Sequence, residues 1–66
     1  MIMVNGRQAD WREGMTVRDV LRDHRYTSPR IIVRINGELV RQEKWDSTMV
    51  HQGDDVRALH MIAGGL

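Results

Sequence analysis

The residues best suited to chemistry are the last five, Ile62-Ala63-Gly64-Gly65-Leu66. Adjacent glycines adopt almost any backbone conformation and allow another backbone to approach closely. Such a segment can thread a narrow channel and place a C-terminal carboxyl group inside another protein's active site. We therefore expect residues 1–62 to form a domain and residues 63–66 to form a flexible tail, in which Gly65 and Gly64 carry the chemistry.

Other candidate groups are few. His24, His51 and His60 are scattered and match no zinc-binding spacing. We expect His24 on a helix face partly in the core, His51 solvated before a turn, and His60 on the last strand. The Ser, Asp and Glu residues near the histidines form no pattern that would indicate nucleophilic catalysis. The sequence also has no phosphate-binding glycine loop. We therefore predict no catalytic residue, no metal and no bound cofactor.

Composition limits the possible partners. Sixty-six residues make one domain near the lower size limit for a hydrophobic core. Cysteine is absent, so disulfides are impossible, and Trp11 and Trp45 are expected to fill the interior. The net charge of +1 is too weak to indicate nucleic acid or an anionic membrane. Neither a signal peptide nor a membrane-length apolar run is found, and we expect a cytoplasmic protein.

The first half of the chain predicts a hairpin and a helix. Ile2 and Val4 alternate with other residues before Asn5-Gly6, which is a strong signal for a type I′ turn, and residues 7–12 alternate again. Thr16 is a typical N-cap, and the helix that follows is expected to end near Tyr26. Its buried face is predicted from i, i+3, i+4 and i+7 spacing: Val17, Val20, Leu21 and His24. Three arginines at helical spacing are interpreted as a solvated face, interleaved with Asp19 and Asp23: Arg18, Arg22 and Arg25.

The second half predicts three more strands. Residues 31–35 are rich in β-branched side chains, and Asn36-Gly37 joins them to a partner strand over residues 38–41. Residues 43–46 are interpreted as one helical turn that places Trp45 in the core. Residues 56–62 are expected to form the last strand. The order predicts an α+β domain with one main helix across a mixed sheet of four to five strands.

Alternation along the last strand predicts a docking surface. Val56 and Ala58 are expected to face inward, which leaves Arg57, Leu59 and Met61 on the opposite face. An exposed leucine and methionine beside the tail, together with Ala63, would form a surface for a partner protein. The alternative is that the strand bulges or that other residues cover this face.

The order of elements followed by a glycine pair resembles the β-grasp, or ubiquitin-like, fold, and more closely the sulfur-carrier family ThiS. The segments that carry the resemblance span nearly the whole chain: Asn5-Gly6, Thr16-Val17-Arg18-Asp19-Val20-Leu21, Ile35-Asn36-Gly37-Glu38-Leu39-Val40, residues 41–45, Gln52-Gly53-Asp54 and Ile62-Ala63-Gly64-Gly65. Their order and spacing are more specific than any one of them.

The resemblance implies a protein co-substrate rather than an enzyme. In that family, a ThiF-like enzyme uses ATP to adenylate the terminal glycine carboxylate. The carboxylate then becomes a thiocarboxylate with sulfur from a cysteine desulfurase or a similar donor. Thiazole synthase, ThiG, takes the sulfur to build the thiazole of thiamine. On this sequence, the resemblance places the sulfur on Gly65.

Leu66 departs from the family pattern, since direct carriers end at the second glycine. Three interpretations compete. A peptidase such as a JAMM-type protease trims Leu66; Leu66 remains from a truncated expression tag; or the chain works untrimmed as a binding module or has a vestigial tail. Trimming would also fit a carrier for cysteine, methionine or molybdopterin synthesis. A β-grasp module that binds a protein without chemistry is the alternative from another class.

Overall fold

The computed structural model describes residues 1–27 and 30–60. Its elements in chain order are β1 (Ile2–Val4), β2 (Arg7–Ala9), α1 (Val17–Asp23), β3 (Ile31–Ile35), β4 (Glu38–Val40), a 3₁₀ helix (Gln42–Lys44) and β5 (Asp55–His60). The five strands form one sheet in the order β2-β1-β5-β3-β4. The β1–β5 pair is parallel and the other pairs are antiparallel. This is the predicted mixed sheet with one main helix.

Both hairpins turn at an Asn-Gly pair, as predicted. The φ angles are 51° and 82° at Asn5 and Gly6, and 51° and 87° at Asn36 and Gly37. Two successive positive φ angles are the requirement of a type I′ turn, whose twist matches that of the flanking strands.

The helix begins as predicted and ends earlier. The Thr16 hydroxyl accepts a hydrogen bond from the Asp19 N–H at 3.2 Å, and the Thr16 N–H donates to the Asp19 carboxylate at 3.0 Å. Two otherwise unpaired N–H groups are thereby satisfied. The helix stops at Asp23, and His24 is its C-cap. The prediction that His24 lies partly in the core is wrong: it is exposed, because Arg25 turns the chain away with φ 63°.

The core lies between the helix and one face of the sheet. Trp45 is 2% exposed, and its indole N–H donates to the Val40 carbonyl at 3.1 Å. Trp11 is half-buried against the core and donates to the Val50 carbonyl at 2.8 Å. The buried residues are Ile2, Val4, Met15, Val17, Val20, Leu21, Ile31, Val33, Trp45, Val50, Val56 and Ala58.

Several elements differ from prediction at their ends. The strand predicted over residues 7–12 stops at Ala9, because its partner β1 has only three residues and Ile2 pairs with Ala9. The strand predicted over 38–41 ends at Val40, and the helical turn predicted over 43–46 is the 3₁₀ helix Gln42–Lys44. The last strand begins at Asp55, and its predicted end at Ile62 lies outside the described residues.

The predicted division between a domain over 1–62 and a tail over 63–66 also lies outside what the described residues test. Within the described part of the chain, no helix is long and apolar enough to cross a membrane.

Candidate functional site

The strand that leads to the glycine pair is the central strand of the sheet. Strand β5 lies between β1 and β3, and His60, its last residue, comes one residue before Met61. Residues 61–66 include five of the predicted site residues, and all of them lie outside the described residues: Met61, Ala63, Gly64, Gly65 and Leu66. The described part of the site is therefore the strand and its surroundings.

The predicted alternation along β5 is confirmed. Val56 and Ala58 are 0% and 4% exposed and face the core. Arg57 is exposed, and Leu59 leaves 56% of its surface exposed. The strand does not bulge between Val56 and His60, since its register with β3 is continuous there. Arg57 and Leu59 are thus available on the face away from the helix.

The strand beside β5 extends this face. Ile32 lies opposite Leu59, and Arg34 lies opposite Arg57. Side chains of directly opposed residues stand on the same side of a sheet. We call these four residues, Ile32, Arg34, Arg57 and Leu59, the outer surface. It joins an apolar pair to a pair of guanidinium groups.

The charge of the outer surface is only partly compensated nearby. The Asp55 carboxylate lies 3.4 Å from the Arg57 Nε. Two arginines directly opposed on neighbouring strands repel one another. A partner surface with acidic groups around an apolar centre would relieve that repulsion and cover the leucine, so this arrangement suits an acidic, partly apolar protein partner.

Sequence reasoning missed a hydrogen-bonded group on β5. The side-chain amide of Asn5 bonds both the N–H and the carbonyl of Ala58, at 2.8 and 3.1 Å, and it also donates to the Tyr26 hydroxyl at 2.6 Å. The sequence signal for these hydrogen bonds is the asparagine at the first turn position. Because a type I′ turn already favours asparagine there, that residue does not by itself indicate a contact with β5.

The histidines do not form a site together. His51 is exposed, and its Nδ1 lies 3.8 Å from the Asp54 carboxylate. The ring centroid of His60 lies 6.0 Å from that of Tyr26. Among residues 1–27 and 30–60, no three histidine or acidic side chains cluster as metal ligands.

Two of the three arginines predicted on a solvated helix face, Arg18 and Arg22, lie there and are ion-paired, whereas Arg25 lies beyond the end of the helix. Arg18 lies 2.9 Å from the Asp46 carboxylate, and its guanidinium stacks 5.3 Å from the Trp45 ring centre. Arg22 pairs with Asp19. Because these cations have partners within the chain, they are less suited to bind an external anion.

Comparisons with known proteins agree with the fold and cover nearly the whole chain. A sequence profile of the ThiS family matches residues 2–65. The sulfur carrier protein ThiS of Bacillus subtilis (strain 168) is 24% identical over an alignment of 66 positions, which covers 98% of this chain and 100% of that protein. The crystal structure of the thiamine biosynthesis protein ThiS from Geobacter metallireducens superposes with a TM-score of 0.80 at 31% identity, and 97% of each chain is covered.

Proposed function

Because the chain belongs to the ThiS family, we propose that it is a sulfur carrier in thiamine biosynthesis. The observation that carries this proposal is the extent of the family match, which runs from residue 2 through Gly65 and includes both glycines of the tail. The names of the relatives, a sulfur carrier protein and a thiamine biosynthesis protein, support the same function.

The proposed chemistry takes place at the carboxylate of Gly65. A carboxylate is a poor electrophile and must first be activated. On a ThiF-like enzyme, the carboxylate oxygen attacks the α-phosphate of ATP, which forms an acyl-adenylate and releases pyrophosphate. The terminal sulfur of a persulfide on a cysteine desulfurase or a similar donor then displaces AMP and forms an acyl disulfide. A thiol reductant breaks the S–S bond and is itself oxidised to a disulfide, which leaves the sulfur on the acyl carbon as a thiocarboxylate. The resulting thiocarboxylate is a tethered nucleophile at high effective concentration for a thiazole synthase of the ThiG type.

The folded domain supplies recognition in this proposal. The carrier is a co-substrate, and ATP is used by its partner. The outer surface is the docking surface for the adenylating enzyme, because Leu59 is exposed on the strand that leads to the tail. Met61 and Ala63 continue the same segment toward Gly64 and Gly65.

Leu66 must be removed before this chemistry, since otherwise the free carboxylate belongs to a branched residue. The family match ends at Gly65 and leaves Leu66 outside it, which supports a cut between the two residues. A peptidase of the JAMM type is the proposed processing partner.

The test compares three proteins with the cognate adenylating enzyme and ATP: residues 1–65, residues 1–66, and residues 1–65 with Gly65→Ala. We expect pyrophosphate release with the first and none with residues 1–66. For Gly65→Ala we expect a rate about 100-fold lower than the first, because a methyl group displaces the reacting carboxylate. Circular dichroism checks that the fold is unchanged. Equal activity of residues 1–65 with and without the Gly65→Ala substitution would contradict the carrier function.

A further inference from the structure

The last strand is unequally supported along its two edges. On one edge, β3 pairs with it from Ile35↔Val56 to Ile31↔His60. On the other edge, β1 pairs only with its first two residues, Asp55 and Val56. Beyond Val56, this edge has no strand neighbour in the described part of the chain.

The side chain of Asn5 continues the ladder where β1 ends. The Asn5 N–H donates to the Val56 carbonyl at 2.9 Å, after which the backbone turns away with φ 51°. A regular parallel ladder would next bond the Ala58 N–H to the Asn5 carbonyl. Instead, Asn5 Oδ1 accepts from the Ala58 N–H at 2.8 Å, and Nδ2 donates to the Ala58 carbonyl at 3.1 Å. One amide thus satisfies both backbone groups of Ala58 on this edge.

The same amide also connects the strand to the end of the helix. Asn5 Nδ2 donates to the Tyr26 hydroxyl at 2.6 Å, and the Tyr26 N–H is held by the Leu21 carbonyl at 2.8 Å. The Tyr26 ring lies beside the ring of His60 at 6.0 Å between centroids. Near the end of β5, the Ala58 backbone is therefore hydrogen-bonded by Asn5, and the His60 ring lies beside Tyr26.

We propose that Asn5 is a positioning residue for the carrier reaction. It holds the Ala58 backbone near the end of β5, the strand that precedes the reacting Gly65 in the sequence, while the outer surface is docked; this inference rests on the proposed function. The rate of a bound reaction depends on orientation of the reacting group, so a loosened strand end lowers turnover without weakening docking.

Asn36 provides a matched control. It has the same φ of 51° in the same type of turn, and its side chain also bonds β5: Oδ1 accepts from the Asp55 N–H at 2.9 Å and Nδ2 donates to the Asp54 carboxylate at 3.0 Å. These bonds hold the start of β5, whereas those of Asn5 hold its end. Glycine at either position keeps a turn residue that accepts positive φ and removes only the side-chain bonds.

The kinetic test uses residues 1–65 carrying Asn5→Gly or Asn36→Gly, with the cognate adenylating enzyme and ATP. We expect Asn5→Gly to lower kcat about tenfold and to change KM for the carrier less than about twofold, while Asn36→Gly leaves kcat as in wild type. A general loss of stability would act on both variants. Equal kcat values for the two variants would overturn the inference.

Amide hydrogen exchange tests whether Asn5 holds the Ala58 backbone, and it does not depend on the carrier reaction. In Asn5→Gly the Ala58 N–H should exchange at least about tenfold faster than in wild type, and in Asn36→Gly it should not. Unchanged protection of Ala58 in Asn5→Gly would also overturn the inference. If wild-type 1–65 is not adenylated at all, the proposed function fails, and the exchange result still decides whether Asn5 holds the strand end.

Discussion

Leu59 is the described residue that bears most directly on partner binding. It leaves 56% of its surface exposed on a strand whose Val56 and Ala58 are almost fully buried. A single exposed leucine is common on proteins. This one lies opposite Ile32, beside two arginines and two residues before Met61, and that setting favours a contact surface over an incidental exposure.

Leu59→Asp should weaken binding to the adenylating enzyme by at least about tenfold, or ~1.4 kcal/mol. A carboxylate at the centre of the interface loses apolar contact and must be desolvated on docking. Affinity can be measured by calorimetry with the cognate enzyme.

Met49→Asp is the matched control for this prediction. Met49 is 44% exposed, but it pairs with Thr16 at the start of the helix and is not part of the outer surface. We expect its affinity to remain close to that of wild type. Equal weakening by both substitutions, or by neither, would contradict a docking surface centred on β5.

Individual residues were predictable where one local pattern decides their environment. Alternation placed Val56, Arg57, Ala58 and Leu59 correctly, because the side-chain period of a strand is two. The bonds of Asn5 to Ala58 join residues 53 positions apart, and no local pattern contains such a contact.

At the scale of elements, the helix depends on its cap and on its buried face. Seven residues are too few for a stable isolated helix. Val17, Val20 and Leu21 are at most 1% exposed, and Asp19 completes the reciprocal bonds with Thr16. The hydrogen bond from the Thr16 N–H, followed by that from the Thr16 hydroxyl group and by the charge of Arg22, lowers the pKa of the Asp19 carboxylate against an opposing effect of burial.

Asp19→Asn should therefore destabilise the protein in a pH-dependent way. Since the pKa of Asp19 is lower in the folded than in the unfolded protein, its ionised form adds stability above the unfolded pKa, and this stability is lost as pH falls through the folded pKa. The difference in thermal midpoint between wild type and Asp19→Asn should be largest near neutral pH and should shrink in acid.

Asp23→Asn serves as the control on the same helix. Asp23 pairs with Arg12 at 3.2 Å at the surface and takes no part in the cap, and exposed pairs of this kind contribute little. A difference for Asp19→Asn that is the same in acid as at neutral pH would contradict the proposed role of its charge.

The types of the elements were predictable, and their ends were less so. Two Asn-Gly turns, the Thr16 cap and the β-branched run of β3 each carry a strong local signal. The helix end carried none, because the residue with positive φ is Arg25 rather than glycine or asparagine. The end of β2 is set by the length of its partner β1, which depends on pairing rather than on the residues after Ala9.

At the scale of the whole molecule, the fold holds one strand from both sides. The two hairpins flank β5, and the Asn-Gly turn of each contributes a side chain that bonds it. The same strand carries Leu59 of the outer surface and leads to the glycine pair. A partner that binds the outer surface is thereby brought to the strand from which the tail continues, which is what a carrier with a terminal reactive group requires.

The central claim is that Gly65 carries sulfur, and the most direct measurement is the intact mass of the untagged protein isolated from its native cells. We predict the loss of one leucine and, in part of the sample, the replacement of one terminal oxygen by sulfur. Two results together would contradict the account. The isolated protein would retain Leu66, and neither it nor a chain ending at Gly65 would gain sulfur on incubation with ATP, the cognate adenylating enzyme and a sulfur source.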